Sequence, residues 1–484
     1  MNISLTSQLV TLFIAALTLL FPPHLKSDSE NKRKDPYAFI DDLPTSHQWH
    51  RVGVGKHHGI ALPLGALRGK DDAGIGEYLD LVPMIDWCHS IGFDCIQLLP
   101  LNDTGHTPSP YSPKSSMALH PIYLSLSALP SLEHYPSLTN ALKKMQKRNN
   151  EQRISYQQVL EDKEIFLEKY FSLAGPSITA STAFADFVAA NPWLETHGLY
   201  HVLKITHNNR PWWEWSNHLQ NPDRATIESL KEKHKNELDL YTFIQFLCFD
   251  QWRQVKEAAE KRDVSLFGDM SIMVGRDSSD VWLHRDFFVL DYNAGAPPDM
   301  YNEEGQSWGL PLYNWKALEK ADYSWWKERL KTLDSLYHIL RVDNIHSFFQ
   351  FWAVPLGKPG KEGSFLPESE HEALSEGKNH VHMLISSSNV LPIAEGMGYV
   401  PDSFKETLEK RGISSIKVLQ WAHEGPDHSF LEPSKYDPLS LACVSTHDTE
   451  SLTQWWISHH HDAEMLAHSR GWHCPMHLTP ELHK

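Results

Sequence analysis

Three apolar runs of this chain each end in an acid. They are Ile339-Leu340-Arg341-Val342-Asp343, Leu391-Pro392-Ile393-Ala394-Glu395 and Leu441-Ala442-Cys443-Val444-Ser445-Thr446-His447-Asp448. The acids stand 52 and then 53 residues apart. Short apolar runs of this kind predict strands buried on both faces, as in a parallel sheet. The intervals leave room for a helix between successive strands, which is the repeat of a (β/α)8 barrel. In that fold the carboxyl ends of the strands face the active site. Three carboxylates converging there, with Arg341 beside the first, suit the chemistry of glycosidic bonds.

Four more strands are expected near 59–64, 95–99, 264–268 and 416–421, which makes seven with 339–343, 391–395 and 441–446. Leu79, Val82, Ile85 and Cys88 keep helical spacing before Gly92, and Trp326, Leu330, Leu333 and Tyr337 do so before the fourth strand. Ser403-x-x-Glu406 reads as a capping box, Phe404 and Leu408 share a helix face, and Gly412 closes that helix. About 160 residues separate the second and third strands, too many for one crossover. An inserted subdomain is therefore expected at about 124–240. It holds a polar helical stretch, Leu142–Gln152, and the Trp212, Trp213, Trp215 cluster. Residues 291–312 are rich in Gly and Pro and predict a long βα loop able to act as a lid.

A net charge of -17 and a pI near 5.9 argue against nucleic acid as a partner. Aromatic faces stack well on sugars, yet most of the 17 tryptophans are expected in the core. Five cysteines, an odd number without a C-x-x-C pair, read as reduced thiols of a cytoplasmic protein. Cys88, Cys248 and Cys443 fall in apolar runs and are expected in the core. The 30 histidines show neither H-E-x-x-H nor a Cys/His ligand spacing, so no metal is expected. The His459-His460-His461 tail reads as exposed and unstructured. Met1 to Leu25 contains no Asp, Glu, Lys or Arg, but its apolar stretch falls short of the roughly 20 residues of a membrane span. No stable membrane insertion is expected; a weak signal, a membrane-associating segment and a mis-assigned start all stay open.

Nine ordered blocks carry a resemblance. They are GIALPLGALRG with GIGEY (59–78), QLLPLNDTG (97–105), SPYSPKSSMALHPIYLSL (109–126), FGDMSIMVGRDSSDVW (267–282), AGAPPDMYNEEGQSWGLPLYNW (294–315), RVDN (341–344), AEGMG (394–398), IKVLQW (416–421) and STHDTESLTQWW (445–456). In these the chain resembles the amylomaltases, the 4-α-glucanotransferases of glycoside hydrolase family 77, also called disproportionating enzymes. The resemblance divides the chain into an N-terminal apolar segment and linker (1–48), a catalytic barrel (49–456) and a divergent His-rich tail (457–484). It implies a (β/α)8 barrel with inserted subdomains. The 28 residues after Trp456 match no eighth strand, so the expectation is a barrel lacking its last strand–helix unit. An open barrel of that kind would expose strand edges.

A retaining enzyme of this class needs a nucleophile and an acid/base about 5 Å apart. Asp343 is expected to be the nucleophile, kept ionised by Arg341 on the same strand face. Glu395 is expected to be the acid/base, its proton affinity raised by the like charges of Asp343 and Asp448. The resemblance implies that Asp448 and His447 bond the donor sugar's hydroxyls, that Tyr111 stacks on that sugar, and that Asp269 sits at the site rim. It also places Met300 and Tyr301 at the tip of an acceptor-side loop, with Gln306 and Trp308 at its base. Such a loop would exclude water and so favour transfer. The implied partners are malto-oligosaccharides and other α-glucans, and the chemistry requires no cofactor.

Six positions depart from the family pattern. Asn344-Ile345-His346-Ser347 stands where His, an aromatic, Arg and Gly are usual. Gly396 replaces an Asp, and Ser271 replaces a Pro. An α-glucan hydrolase and a truncated, inactive glucan-binding homologue are the alternative readings.

Overall fold

The structure is a computed structural model and describes residues 35–299, 302–396, 400–424 and 429–472. The chain divides into two compact units, one of residues 42–414 and one of residues 415–484 with those up to 41.

All seven expected strands form. In the larger unit β1 (Gly59–Leu62), β2 (Cys95–Leu98), β3 (Ser265–Met270), β4 (Ile339–Val342) and β5 (Leu391–Ala394) pair in parallel and in chain order. β4 and β5 are buried at every residue, as their continuous apolar runs require. The register sets Asp269 of β3 opposite Arg341 of β4. The remaining two, β6 (Ser414–Val418) and β7 (Ser440–Cys443), also pair in parallel. β6 is shorter than expected, because Leu419–Trp421 turn in a 3-10 helix.

Helices fill the crossovers. Leu81–Ser90 (α1) joins β1 to β2 and buries Leu81, Ile85 and Cys88. The stretch between β2 and β3 is largely helical. Its main elements are α2 (Tyr156–Thr179), α3 (Trp193–Thr206) and α4 (Lys235–Glu260). The polar stretch 142–152 is helical only to Met145 and continues as a 3-10 turn, Gln146–Asn150. Ser324–Leu336 (α5) leads into β4, with Tyr337 as its C-cap, and Glu370–Ser386 (α6) leads into β5.

The helix after β5, Asp402–Glu409 (α7), buries Phe404 and Leu408 as expected, but the capping box is not made. Pro401 is the N-cap, so the helix starts before Ser403, whose hydroxyl donates to Glu370 Oε1 at 2.8 Å instead. Pro presets the backbone at a helix start, which moves the boundary forward.

The segment 291–312 is not an irregular loop. Tyr292–Ala296 and Gln306–Ser307 pair antiparallel and join Phe351–Pro355 and Ser364–Leu366 in a four-stranded sheet. Gly295 is required there, since a Cβ would lie 1.9 Å from the Gln306 carbonyl oxygen. The chain after β3 thus shares a sheet with the chain after β4.

Most tryptophans are buried, among them Trp212, Trp215, Trp252, Trp282 and Trp326, whereas Trp213 is exposed. Cys88 and Cys248 are buried as expected, but Cys443 is only half-buried. The smaller unit has its own core of Phe430, Trp455, Ala463 and Leu466. That core corrects the reading of the tail as unstructured. Leu452–Ser458 (α8) and His460–Ser469 (α9) are helices, and α9 turns Ala463, Leu466 and Ala467 inward. The histidines fall on the exposed side of an amphipathic pattern that the run of three conceals. Among the described residues, no helix is long and apolar enough to cross a membrane.

Candidate active site

Strand alternation points Arg341 and Asp343 to the same side of β4. Arg341 Nη1 donates to both carboxylate oxygens of Asp269, each at 2.9 Å. Its Nη2 lies 3.1 Å from Asp343 Oδ1 and 4.0 Å from Glu395 Oε2. One guanidinium therefore serves three carboxylates from three adjacent strands. Its planar fork suits that task better than the point charge of a lysine. Burial alone would push the Arg341 guanidinium down. The charges of Asp269, Asp343 and Glu395 outweigh it and hold the group above its ordinary value.

Exposure ranks the acids. The side chains of Asp269, Arg341 and Glu395 are 0%, 3% and 8% exposed, and that of Asp343 is 27% exposed. Asp343 is the acid of this group that a solvent-borne molecule reaches most readily. Asp269 does not sit at the rim. It lies buried behind Arg341, because the β3–β4 register sets the two opposite each other.

Tyr111, part-buried, joins the group through Asp269. Its hydroxyl donates to Asp269 Oδ2 at 2.6 Å. Burial, and then the charge of Asp269 and this bond, push the phenol well above its usual range, so it stays a donor. The Tyr111 segment is anchored by Lys114, whose Nζ lies 2.9 Å from Asp277 Oδ2. Lys204 Nζ reaches the same oxygen at 2.7 Å, and Tyr200 donates to Asp277 Oδ1 at 2.7 Å. Burial would lift the Asp277 carboxyl, but Lys114, Lys204 and Tyr200 together hold it below its ordinary value. This hub ties the chain after β2, the chain after β3 and helix α3 together. Sequence reasoning missed it, although Lys114 and Asp277 both lie inside blocks that carry the resemblance.

Glu395 is fixed through main chain. Its N–H donates to the Val342 carbonyl at 3.0 Å, and its own carbonyl accepts from Ile345 at 2.9 Å. Asn344 N–H donates to its Oε2 at 2.8 Å. The altered segment 344–347 therefore packs inward. Ile345 and Ser347 are buried, and His346 Nδ1 donates to the Gln350 carbonyl at 2.9 Å. Ser271 Oγ donates to the Met273 carbonyl at 2.9 Å, closing the turn where a Pro is usual. At Gly396 a Cβ would make only ordinary contacts, 3.5 Å from Val400, so sterics do not demand a glycine.

In the smaller unit His447 Nε2 lies 3.1 Å from Asp448 Oδ2, and the Asp448 side chain is 50% exposed. The turn that presents them is closed by Thr446 and Thr449, with Thr446 N–H donating to Thr449 Oγ1 at 2.9 Å. In the hairpin after β3, Trp308 Nε1 donates to Gln306 Oε1 at 2.9 Å. Met300 and Tyr301 lie outside the described residues.

The family model described as 4-alpha-glucanotransferase matches residues 62–484, a span that runs past Trp456 to the last residue. A 4-alpha-glucanotransferase of Chlamydia pneumoniae is 37% identical over 427 residues, covering 88% of this chain and 80% of the relative. One from Clostridium butyricum is 29% identical over 408 residues, covering 81% and 80%. Among solved structures, an amylomaltase from Streptococcus agalactiae in complex with acarbose superposes with a TM-score of 0.75 at 23% identity, covering 85% of this chain and 84% of that one. At that identity the likeness speaks for the fold, a TIM-type barrel.

Proposed function

This chain belongs to the 4-alpha-glucanotransferase family, and from that membership we propose how its residues perform the reaction. The activity is transfer of α-1,4-glucan segments, with malto-oligosaccharides as donors and acceptors. An Asp343 oxygen attacks C1 of the donor sugar, and the bond from C1 to the leaving O4 breaks. Glu395 gives its proton to that O4. An acceptor's 4-hydroxyl then attacks C1, Glu395 takes the proton back, and the ester to Asp343 is released. Two inversions give net retention.

The observation that carries this reading is the Arg341 guanidinium, which contacts Asp343 and Glu395 while Asp269 holds it from behind. Its permanent positive charge keeps Asp343 ionised for attack. Asp448 and His447 bond the donor sugar's hydroxyls. Tyr111 presents its ring to the same sugar while its hydroxyl steadies Asp269. Gln306 and Trp308 line the acceptor side, where excluding water favours transfer over hydrolysis. The four described cysteines are free thiols, in keeping with a cytoplasmic site of action.

The test is incubation of purified protein with maltotriose and chromatography of the products. Glucose plus chains longer than the substrate are expected; only shorter products would make the protein a hydrolase. Asp343→Asn should abolish the ladder with the fold intact, and clear residual transfer would overturn the assignment of Asp343.

A further inference from the structure

We propose that the main-chain N–H of Asn344, presented by a left-handed turn, positions the Glu395 carboxyl for proton transfer. The proposal rests on the reading of Glu395 as acid/base.

Asn344 has φ 44° and ψ 60°. Few residues other than Gly adopt this conformation cheaply, and Asn is one of them. The turn directs its N–H to Glu395 Oε2 at 2.8 Å. The flanking bonds, Glu395 N–H to the Val342 carbonyl and Ile345 N–H to the Glu395 carbonyl, seat the main chain of Glu395 on the same segment. That segment also carries Asp343. Glu395 is thus held at main chain and side chain by the four residues that include the nucleophile. The charged groups near it include Arg341, whose Nη2 lies 4.0 Å from the same Oε2 and 3.1 Å from Asp343 Oδ1. Asn344 is a positioning residue: its backbone conformation matters, and its side-chain amide is incidental.

The experiment compares Asn344→Val and Asn344→Gly on two donors. Valine resists a positive φ, whereas glycine adopts it freely. Donor kcat/KM is measured with maltotriose, whose departing sugar needs a proton, and with α-maltotriosyl fluoride, whose fluoride leaves without one. Asn344→Val should lose about ten- to a hundred-fold on maltotriose, as expected for a misplaced catalytic group. It should lose far less on the fluoride. Asn344→Gly should recover most of the maltotriose activity. The proposal is overturned if Asn344→Val matches wild type, if glycine fails to restore activity, or if both donors suffer equally in a protein with an unchanged circular dichroism spectrum. Glu395→Gln on the same donors tests the underlying reading separately. Loss confined to maltotriose supports Glu395 as the acid; loss on both donors, or on neither, refutes that assignment whatever Asn344 does.

Discussion

Asp269 and Arg341 form the most buried ion pair of the site, and removing one partner strands the other. A buried charge left alone costs about 3–5 kcal/mol. Arg341→Ala should therefore lower unfolding free energy by about that much, and adding Asp269→Asn should recover a large part of it. Denaturant titration of the wild type, the single variant and the pair checks this. Equal stability of the single and double variants would deny the pairing. Tyr111 has two roles that substitutions separate. Tyr111→Phe keeps a ring and loses one hydrogen bond to a charged group, about 1.5–3 kcal/mol. It should lower stability and leave donor KM nearly unchanged, whereas Tyr111→Ala should raise KM. Asp343 and Glu395 were legible in the sequence because each closes an apolar run, and Arg341 because it is the one charge inside such a run. The depth of Asp269 was not, since burial depends on its register against Arg341, 72 residues away. Nor was the Asn344 contact, which uses a backbone atom that every residue possesses.

Elements are held by polar groups as well as by apolar packing. Lys163 of α2 donates to Glu77 Oε1 at 2.6 Å and to the Ile122 and Leu124 carbonyls at 2.7 and 2.8 Å. Burial pushes the Glu77 carboxyl up from an ordinary 4.5 to about 7, against the pull of Lys163. A carboxyl that binds its proton more tightly when folded favours folding at low pH. Its contribution is fully present below about 4.5, falls as pH rises, and is gone above about 7. The stability difference between wild type and Glu77→Gln should therefore fall from pH 5 to pH 7 and then level. A difference that rises with pH would contradict the placement of Glu77. Helices α1 and α5 were legible because their apolar spacing is regular. The pairing of Tyr292–Ala296 with Gln306–Ser307 was not, because these strands contain Gly and polar residues and the first is paired on its other edge by Phe351–Pro355. The helical tail was hidden by composition, as histidines masked the positions of Ala463 and Leu466.

At the scale of the whole chain, the strand repeat was the legible part. Seven parallel strands stand close to where apolar runs predicted them, and β4 and β5, buried at every residue, leave the clearest mark on the sequence. The long helical stretch between β2 and β3 was visible as excess length and one polar helical run, because its helices pack on one another through contacts that local periodicity does not specify. In the proposed reaction the folded chain carries a glucan on Asp343 between two substrates. The most direct measurement incubates Glu395→Gln, which cannot supply the base for release, with α-maltotriosyl fluoride. Proteolysis and mass measurement of the peptides follow. The account predicts a maltotriosyl ester on the peptide containing Asp343. An ester on another carboxylate, or turnover of the fluoride without any ester accumulating, would contradict it.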